Sequence, residues 1–440
     1  MHSPLFQRVL VMIFVQSSNA WEGRMRWGVC GLLWALSMPL YAASAEVTAR
    51  FRPDPGNPTF NQFENTTPNR GSCAEYAAYC MANGLSSLIM PLSFRTETPI
   101  LARHGERQGP MVKVPANWRT LDVVHEATGE ARQLKVRMAA FGASYLTPIP
   151  IVDIIGEGGT WLEINRKLWG GRVAQDARAP CLSTSVWHQT NGSGGFFFWR
   201  TPVGAEAACP LQSAFDIPPG FRFAEAGRNQ LTFGYQIEAP DPLSMSSGIY
   251  TGKIAYTAGP NMDIDMGDVL LPTDTLFEIN FTLTVEHTLK VEIPPGGNRI
   301  QLEPQGGWQA WLNQGRKPAR LFRDQTFNLS ASSRFKMQLE CGTGQIGDTC
   351  AVQNAAGDQV PLDVLVSLPN GLTNTDGGAV NRLPLRVSGA GTELFQPSFY
   401  VDRRPGTLHF EVQREGVEEM LKREGDTWSG TVSVIWDSEV

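Results

Sequence analysis

Two stretches of this sequence place tryptophan beside amide, imidazole and carboxylate groups. They are Trp187, His188, Gln189 and Asn191 in a glycine-rich loop, and Trp161 with Glu163 and Asn165. Sugars present apolar faces ringed by hydroxyl groups, so a flat aromatic ring flanked by polar side chains is suited to hold them. We therefore predict that Trp187, His188, Gln189, Asn191 and Trp161 bind a ligand. The alternative is that the tryptophans belong to a hydrophobic core.

A different chemistry is suggested by Arg103, His104 and Gly105. This tripeptide resembles the motif of histidine phosphatases, in which the histidine accepts the phosphoryl group. Such a site needs a strand before the motif, a helix after it and an α/β domain around it, whereas Gln108-Gly-Pro110 breaks the chain at once. We expect His104 to be a loop histidine without a catalytic role.

Asp263, Asp265 and Asp268 offer three carboxylates within a short stretch. An EF-hand loop needs a bidentate glutamate at its twelfth position and flanking helices, but that position is Asp274 and no helical pattern surrounds it. A solvated turn is the prediction. Fingerprints of nucleotide-binding loops and of serine-hydrolase elbows are absent from the sequence. We predict no catalytic residue, no metal and no cofactor.

Six of the seven cysteines remain once Cys30 is assigned to an N-terminal leader. An even number in an exported chain predicts disulfides rather than free thiols. A metal site is the other use of clustered cysteines, but the sequence has no C-x2-C pair and no nearby histidine set. Of the possible pairings we predict the three that are local in sequence, which are Cys73–Cys80, Cys181–Cys209 and Cys341–Cys350.

The Cys73–Cys80 pair is possible only if the backbone between the two cysteines is not one continuous helix. Ser72 and Glu75 have the spacing of a capping box that opens a helix. A continuous helix would hold the Cα atoms of Cys73 and Cys80 about 10.5 Å apart, beyond the limit of about 7 Å for a disulfide. Either the helix breaks near Tyr79 or the pairing is different.

Composition places the chain among β-rich proteins. It has 440 residues, 44 Gly and 30 Pro, and a net charge of −6. The length is enough for two or three domains with cores of their own, and glycine, proline and β-formers favour strands and turns over helices. The net charge is negative and the sequence has no cluster of basic residues of the kind that binds nucleic acid, so we expect no nucleic-acid partner.

The N-terminal residues have the organisation of an export signal. Arg24 and Arg26 supply the positive region, Trp27–Tyr41 the apolar region and Ala43–Ala45 the cleavage site. About fifteen apolar residues are short of the roughly twenty needed to span a bilayer. We predict that residues 1–45 are a signal peptide. A leader of ordinary length would begin at Met25, which leaves a second apolar run, Val9–Val15, without an assigned role.

The rest of the chain is predicted to be all-β, with two immunoglobulin-like sandwiches. Ile149–Ile155 is one of the expected strands. A helix is predicted over Thr160–Trp169, with an apolar stripe of Trp161, Leu162, Leu168 and Trp169. We place the boundary near residue 282, giving domains of residues 46–282 and 283–440, although Phe281–Ile293 is apolar enough to run through it.

The last stretch of the sequence predicts a half-buried strand. Its alternate residues Trp428, Gly430, Val432, Val434 and Trp436 share one face, and Ser429, Thr431, Ser433 and Asp437 lie mostly on the other. An apolar strand at the end of a chain carries an edge that another protein can pair with. The alternative is an ordinary edge strand.

The sequence Trp428-Ser-Gly-Thr-Val-Ser-Val-Ile-Trp-Asp437 resembles the closing strand of subunits in chaperone-usher fimbriae. Phe63, Asn65-Thr-Thr-Pro68 and Cys73 resemble the opening of the tip subunits of such fibres. This resemblance implies an incomplete pilin-type sandwich that lacks its last strand, which a chaperone and then a neighbouring subunit supply by strand addition. It also implies contacts through Trp428, Val432, Val434, Trp436 and the carboxylate of Val440.

The resemblance implies a fimbrial tip adhesin. Residues 46–282 would bind a receptor, expected to be a glycan. The expected partners are a periplasmic pilus chaperone, an outer-membrane usher and the adjacent subunit, and the chain would pass through the periplasm to the fibre tip at the cell surface. Two alternatives stay open. One is a secreted β-sandwich polysaccharide hydrolase, and the other is a non-adhesive adaptor whose Val47, Ala49 and Phe51 form a strand to donate.

Overall fold

The computed structural model describes residues 9–17, 43–184, 189–223, 231–314 and 317–438. Strands dominate these residues, in two curled sheets that each enclose a hydrophobic core. The predicted all-β class with two sandwich-like domains is therefore confirmed. No helix in the described ranges has the length and apolar character to cross a membrane.

The first sandwich takes its strands from residues 43–285. These strands, numbered after β1 (Val9–Ser17), are β2 (Ala43–Phe51), β3 (Glu64–Asn65), β4 (Ser86–Ile89), β5 (Phe94–Thr96), β6 (Met111–Val112), β7 (Arg119–His125), β8 (Ala131–Leu146), β9 (Leu182–Ser183), β10 (Gln189–Asn191), β11 (Gly194–Arg200), β12 (Cys209–Pro210), β13 (Arg222–Phe223), β14 (Thr232–Glu238), β15 (Gly248–Thr257), β16 (Leu270–Pro272) and β17 (Leu276–Val285). The long strand β8 is the centre, since it pairs with β7, β11, β13 and β14.

The second sandwich is built from residues 289–437 together with β1. Its further strands are β18 (Leu289–Glu292), β19 (Arg299–Gln301), β20 (Glu303–Pro304), β21 (Leu321–Ala331), β22 (Lys336–Cys341), β23 (Gly344–Ile346), β24 (Thr349–Gln353), β25 (Gln359–Ser367), β26 (Leu372–Thr373), β27 (Leu383–Leu385), β28 (Gln396–Pro397), β29 (Val401–Val412) and β30 (Trp428–Asp437). Its core residues run from Ile300 to Trp436 and are separate from the core of the first sandwich.

The helices are short and lie outside the sheets. They are α1 (Ser72–Glu75), α2 (Ala77–Ala82), α3 (Ile151–Ile155), α4 (Trp161–Leu168), α5 (Gly307–Gln314) and α6 (Arg414–Met420). The strand predicted over Ile149–Ile155 is wrong, because Pro150 precedes a single helical turn that Gly156 ends in the left-handed conformation. Helix α4 was predicted correctly, and Thr160 and Glu163 form a capping box at its start.

The chain passes from one sandwich to the other without a flexible linker. Strand β17 alternates between buried and partly buried residues as far as Val285, and β18 begins at Leu289. The boundary placed near residue 282 therefore falls within a strand. The connection contains His287, whose Nε2 lies 2.9 Å from the Met245 carbonyl oxygen of the first sandwich and whose Nδ1 lies 3.2 Å from Ser332 Oγ of the second.

All three predicted disulfides are present, with Cα separations of 5.6, 5.8 and 5.2 Å in chain order. The helix at Cys73–Cys80 breaks at Tyr76, which separates α1 from α2 and brings the two cysteines together. The break lies three residues before the expected one. The predicted capping box is wrong, since Ser72 is already helical and its buried hydroxyl has no hydrogen-bond partner in the described part of the chain.

The two N-terminal strands lie in different sandwiches. Strand β2 runs parallel to β17, and Val47, Ala49 and Phe51 are buried in the first core. In this structure the segment that the sequence allowed as a donor strand completes its own sandwich. The predicted cleavage site after Ala45 falls inside β2, and residues 1–8 and 18–42 of the predicted signal peptide lie outside the described residues.

Candidate functional site

The last strand, β30, has two edges with different partners. One edge pairs antiparallel with β22 over Val432–Asp437 and with β24 at Ser429. The other edge pairs parallel with β1 in nine successive positions, from Trp428 opposite Val9 to Trp436 opposite Ser17. Strand β1 in turn pairs with β19. Among the described residues, β1 therefore fills a slot that residues 289–437 leave between β30 and β19.

The side chains predicted to contact a chaperone or neighbouring subunit form the floor of this slot. Trp428, Val432, Val434 and Trp436 are each at most 1% exposed and belong to the second core. The Trp436 ring packs edge-on against Phe327, at 5.2 Å between ring centroids. At the edge that faces β1, β30 thus offers its backbone, while these side chains anchor it in the core. Val440 lies outside the described residues, and the contact role of all five remains a prediction.

The two tryptophan-containing stretches meet at one buried amide. Asn165 Nδ2 donates to the carbonyl oxygen of Trp161 at 2.7 Å and to that of Asn191 at 3.1 Å. Its Oδ1 accepts from the hydroxyl of Tyr145. Asn165 is fully buried, whereas the Trp161 side chain is 62% exposed. A buried side chain therefore fixes Trp161 beside the β10–β11 hairpin.

The hairpin itself is tied down at its tip. Ile151 N donates to the Gly192 carbonyl oxygen at 2.8 Å, and Thr147 N donates to that of Ser193 at 2.8 Å. Gly194 permits this approach, because a Cβ there would lie 2.0 Å from the Tyr145 carbonyl oxygen. Asn191 is exposed on the tip, with its Oδ1 accepting from Ser193 N.

The structure thus brings Trp161 and Asn191 of the predicted ligand set together. Gln189 lies in β10, while Trp187 and His188 lie outside the described residues. The predicted helical stripe needs correction, because α4 buries Ile164, Asn165 and Leu168 and leaves Trp161 exposed. Leu162 is half-exposed, and Trp169 is buried just beyond the helix.

A second concave surface of the first sandwich was missed by the sequence analysis. A cavity of about 360 Å³ is lined by Asn65, Gly84, Ser86, Trp118, Tyr235, Gln236, Ile237 and Glu238. Asn65 Nδ2 donates to Ser86 Oγ and to the Tyr235 hydroxyl, both at 3.0 Å, which organises one wall. Trp118 forms another part of the lining, and the Arg137 guanidinium lies 5.5 Å from its ring centroid. No local sequence pattern marks this site, because its residues come from segments distant in sequence.

His104 is buried, and both of its ring nitrogens have backbone partners. Its Nδ1 lies 2.8 Å from the Gly105 carbonyl oxygen, and Ser213 N donates to its Nε2 at 3.1 Å. Gly109 packs so closely that a Cβ would lie 2.0 Å from the ring. Burial lowers the pKa of His104, which keeps the imidazole neutral.

Each of the three aspartates in this run forms an ion pair with an arginine. Arg107 Nη1 lies 2.8 Å from Asp265 Oδ2 and its Nη2 lies 2.7 Å from Asp268 Oδ1, while Arg119 Nη2 lies 2.6 Å from Asp263 Oδ1. The prediction of a solvated turn is wrong for Asp265, which is fully buried. The described residues contain no group of three His, Cys, Asp or Glu side chains arranged to hold a metal.

One polar array on the second sandwich has the order of an acyl-transfer triad. Ser367 Oγ lies 2.9 Å from His409 Nε2, and His409 Nδ1 lies 2.7 Å from Asp324 Oδ1. The three residues stand on the adjacent strands β25, β29 and β21. Ser367 Oγ also lies 3.2 Å from Asn381 Oδ1, so Asn381 competes with the imidazole for the hydroxyl proton.

The structural neighbours of this chain are chaperone-usher tip adhesins. A chaperone–tip adhesin complex of CFA/I fimbriae shares 10% identity over 91% of this chain and 97% of that chain, with a TM-score of 0.21. CfaE, the adhesive subunit of CFA/I fimbria of enterotoxigenic Escherichia coli, shares 10% identity over 90% and 98%, with a TM-score of 0.22. A CsuC–CsuE chaperone–tip subunit pre-assembly complex from Acinetobacter baumannii shares 10% identity over 90% and 98%, with a TM-score of 0.20.

No family model matches the chain, and no curated protein matches it. TM-scores this low do not establish a common arrangement of strands. The function of the chain is therefore inferred from its own residues and strands.

Proposed function

We propose that this protein is a two-domain tip adhesin of a chaperone-usher fimbria. The observation that carries the proposal is the slot beside β30. The edge of β30 from Trp428 to Trp436 pairs with β1, and none of the described strands within residues 289–437 pairs with it. Strand β1 lies N-terminal to the first sandwich. Removal of the proposed signal peptide, residues 1–45, removes β1 and opens the slot. An open edge over a hydrophobic floor takes up a strand from another protein.

The partners follow from this slot. A periplasmic pilus chaperone fills it first, the outer-membrane usher receives the complex, and the adjacent subunit supplies the final strand. The first sandwich would be the receptor-binding domain, and its exposed Trp161 and the Trp118 cavity are the surfaces proposed for a glycan. The adaptor alternative is less favoured, because β2 already pairs along its length with β17.

The test is the location of the chain on assembled fibres. Fimbriae are assembled in cells that express the chain with its chaperone and usher, and an antibody to the first sandwich is visualised by electron microscopy. The proposal predicts label at fibre ends and loss of cell adhesion when the chain is deleted. Label along the shaft, or chain found only in the medium, contradicts it.

A hydrolase acting on polysaccharide is the second candidate, and the Ser367–His409–Asp324 array favours it only as an esterase, because a serine triad cleaves acyl esters and not glycosidic bonds. Ser367 Oγ would attack the ester carbonyl carbon while its proton passes to His409 Nε2 and from there to the departing sugar hydroxyl. Water would then release the acyl group from the serine. Such a serine reacts covalently with a fluorophosphonate probe. Labelling that disappears in Ser367→Ala supports the esterase, and absence of labelling in the folded chain excludes this esterase. We propose that the chain is not an enzyme, and therefore expect no labelling.

A further inference from the structure

The Trp118 cavity presents two hydroxyl groups whose protons are available to a ligand. Asn65 Nδ2 donates to Ser86 Oγ and to the Tyr235 hydroxyl, both at 3.0 Å. Each hydroxyl therefore accepts a hydrogen bond, and neither has an acceptor for its own proton in the described part of the chain. Because a hydroxyl donates as well as accepts, Ser86 and Tyr235 remain donors in the cavity that they line.

The Trp118 ring is held by a cation that does not line the cavity. The Arg137 guanidinium lies 5.5 Å from the ring centroid. Its Nε and Nη2 donate to Gln236 Oε1 at 3.0 and 2.7 Å, and its Nη1 donates to the Thr201 carbonyl oxygen at 2.9 Å. Arg137 is buried and is not among the lining residues, whereas Trp118 and Gln236 are. Arg137 thus orients the aromatic wall while its own donors bond within the protein.

The charge of the cavity lining comes from Glu238, since every other residue that lines the cavity is uncharged. Glu238 Oε2 lies 3.1 Å from Lys135 Nζ, in an ion pair that is half-exposed. Its Oε1 receives no hydrogen bond from the described residues. A carboxylate oxygen forms strong hydrogen bonds with hydroxyl donors and repels a second anion placed nearby. The lining therefore favours a ligand that carries hydroxyls and no acid.

We propose that the Trp118 cavity binds a neutral hexose at the end of a glycan chain. The Trp118 ring contacts the apolar face of the sugar. The hydroxyls of Ser86 and Tyr235 donate to sugar oxygens, and Glu238 Oε1 accepts from a sugar hydroxyl. The volume of about 360 Å³ lies within the range of small-ligand pockets. The inference rests on the proposed adhesin function, specifies its receptor class and assigns receptor binding to this cavity rather than to the Trp161 hairpin.

Binding to immobilised disaccharides tests the inference, with residues 46–440 purified as the chaperone complex. The probes end in galactose, glucose or mannose, and each is paired with a probe in which the terminal sugar is the corresponding uronic acid. The two members of a pair differ only in a hydroxymethyl group replaced by a carboxylate. We expect at least one neutral probe to bind, and its uronic partner to bind at least about tenfold more weakly because Glu238 repels it. Binding of the neutral probe should not fall with salt, since no ion pair holds the sugar.

Three variants separate the roles of the ring and the carboxylate. Trp118→Leu should weaken binding of the neutral probe by at least about tenfold, while Trp118→Phe, which keeps an aromatic face, should retain more of it. Glu238→Gln should strengthen binding of the uronic probe by at least about fivefold, because it removes the repelling charge. Glu64→Gln is the matched control, since Glu64 is exposed beside Asn65 and does not line the cavity, and it should change the affinity of either probe less than about twofold.

Equal binding of neutral and uronic probes, equal effects of Glu238→Gln and Glu64→Gln, or no binding by the folded complex overturns the inference. In all three cases label at fibre tips would still support the adhesin function. Hexose binding by a chain that is absent from fibre tips would instead contradict the adhesin function and leave the cavity as a sugar site.

Discussion

Val434 and Val15 are register partners in neighbouring parallel strands, although one lies in the last strand of the chain and the other in the first. On its opposite edge Val434 pairs with Leu339 of β22, so it is held between two strands. Only one of these strands, β22, comes from residues 289–437. The second sandwich therefore acquires a complete sheet around β30 only when a strand arrives from outside residues 289–437.

Trp436 should be the most costly residue of β30 to truncate. Its ring is buried against Phe327 and Phe335, at centroid distances of 5.2 and 5.6 Å. Trp436→Ala leaves a large cavity and should lower the free energy of unfolding by about 3–5 kcal/mol. Ser433→Ala, on the outer face of the same strand, should change it by less than about 0.5 kcal/mol. Both changes are measured by urea unfolding of the chain without its chaperone, with a strand attached that pairs with β30 in place of β1. Equal effects of the two substitutions would place Trp436 outside the core.

The Asp265–Arg107 pair should be structural rather than metal-binding. Asp265→Ala leaves the arginine without its buried partner and should cost about 3–5 kcal/mol. Asp268 is 42% exposed, so Asp268→Asn should cost less than about 1 kcal/mol. Millimolar calcium should leave the melting temperature of the unmodified protein unchanged. A calcium-dependent rise that disappears in Asp265→Ala would show that these carboxylates bind the ion.

Asn165 should matter for stability and Asn191 should not. Asn165→Leu removes the amide partner of the Tyr145 hydroxyl and of two carbonyl oxygens, at a cost of about 2–4 kcal/mol. Asn191→Ala removes a hydrogen bond in an exposed turn and should cost less than about 1 kcal/mol. Thermal unfolding compares the variants. If Asn165→Leu is as stable as the unmodified chain, the buried amide does not fix Trp161 against the hairpin.

Stability should fall as the solution becomes acidic because of His287 and His104. Burial lowers the pKa of both histidines, so the unfolded chain binds protons that the folded chain refuses. Above the unfolded-state pKa of about 6.5 both states hold neutral histidines, and the free energy of unfolding is not reduced. As the pH falls below that value, the free energy of unfolding decreases by up to about 1.4 kcal/mol per pH unit for each histidine. Urea unfolding at a series of pH values between 7.5 and 5 measures this loss. The free energy of unfolding should fall less steeply with decreasing pH in His287→Gln than in the unmodified protein. An unchanged slope would contradict the role of His287 between the sandwiches.

Local patterns predicted the elements that depend on local physics. The alternation in Trp428–Asp437 gave its buried face correctly. The apolar residues of Thr160–Trp169 gave the extent of α4, although the structure buries a different stripe of that helix. The disulfide at Cys73–Cys80 required a helix break, and the structure has one at Tyr76. What the sequence did not reveal was long-range pairing. The partnership of Arg107 with Asp265, the Trp118 cavity and the insertion of Val9–Ser17 beside β30 each join residues far apart in the chain, and no periodicity encodes them.

The most direct test of the central claim is the soluble periplasmic yield and thermal stability of residues 46–440, with and without a co-expressed pilus chaperone. The account predicts low yield for the chain alone and rescue as a one-to-one complex. Val434→Asp should abolish the rescue because it puts a charge into the slot floor, whereas Ser429→Asp, exposed on the same strand, should preserve it. A chain that is monomeric and equally stable alone would show that the second sandwich needs no partner strand.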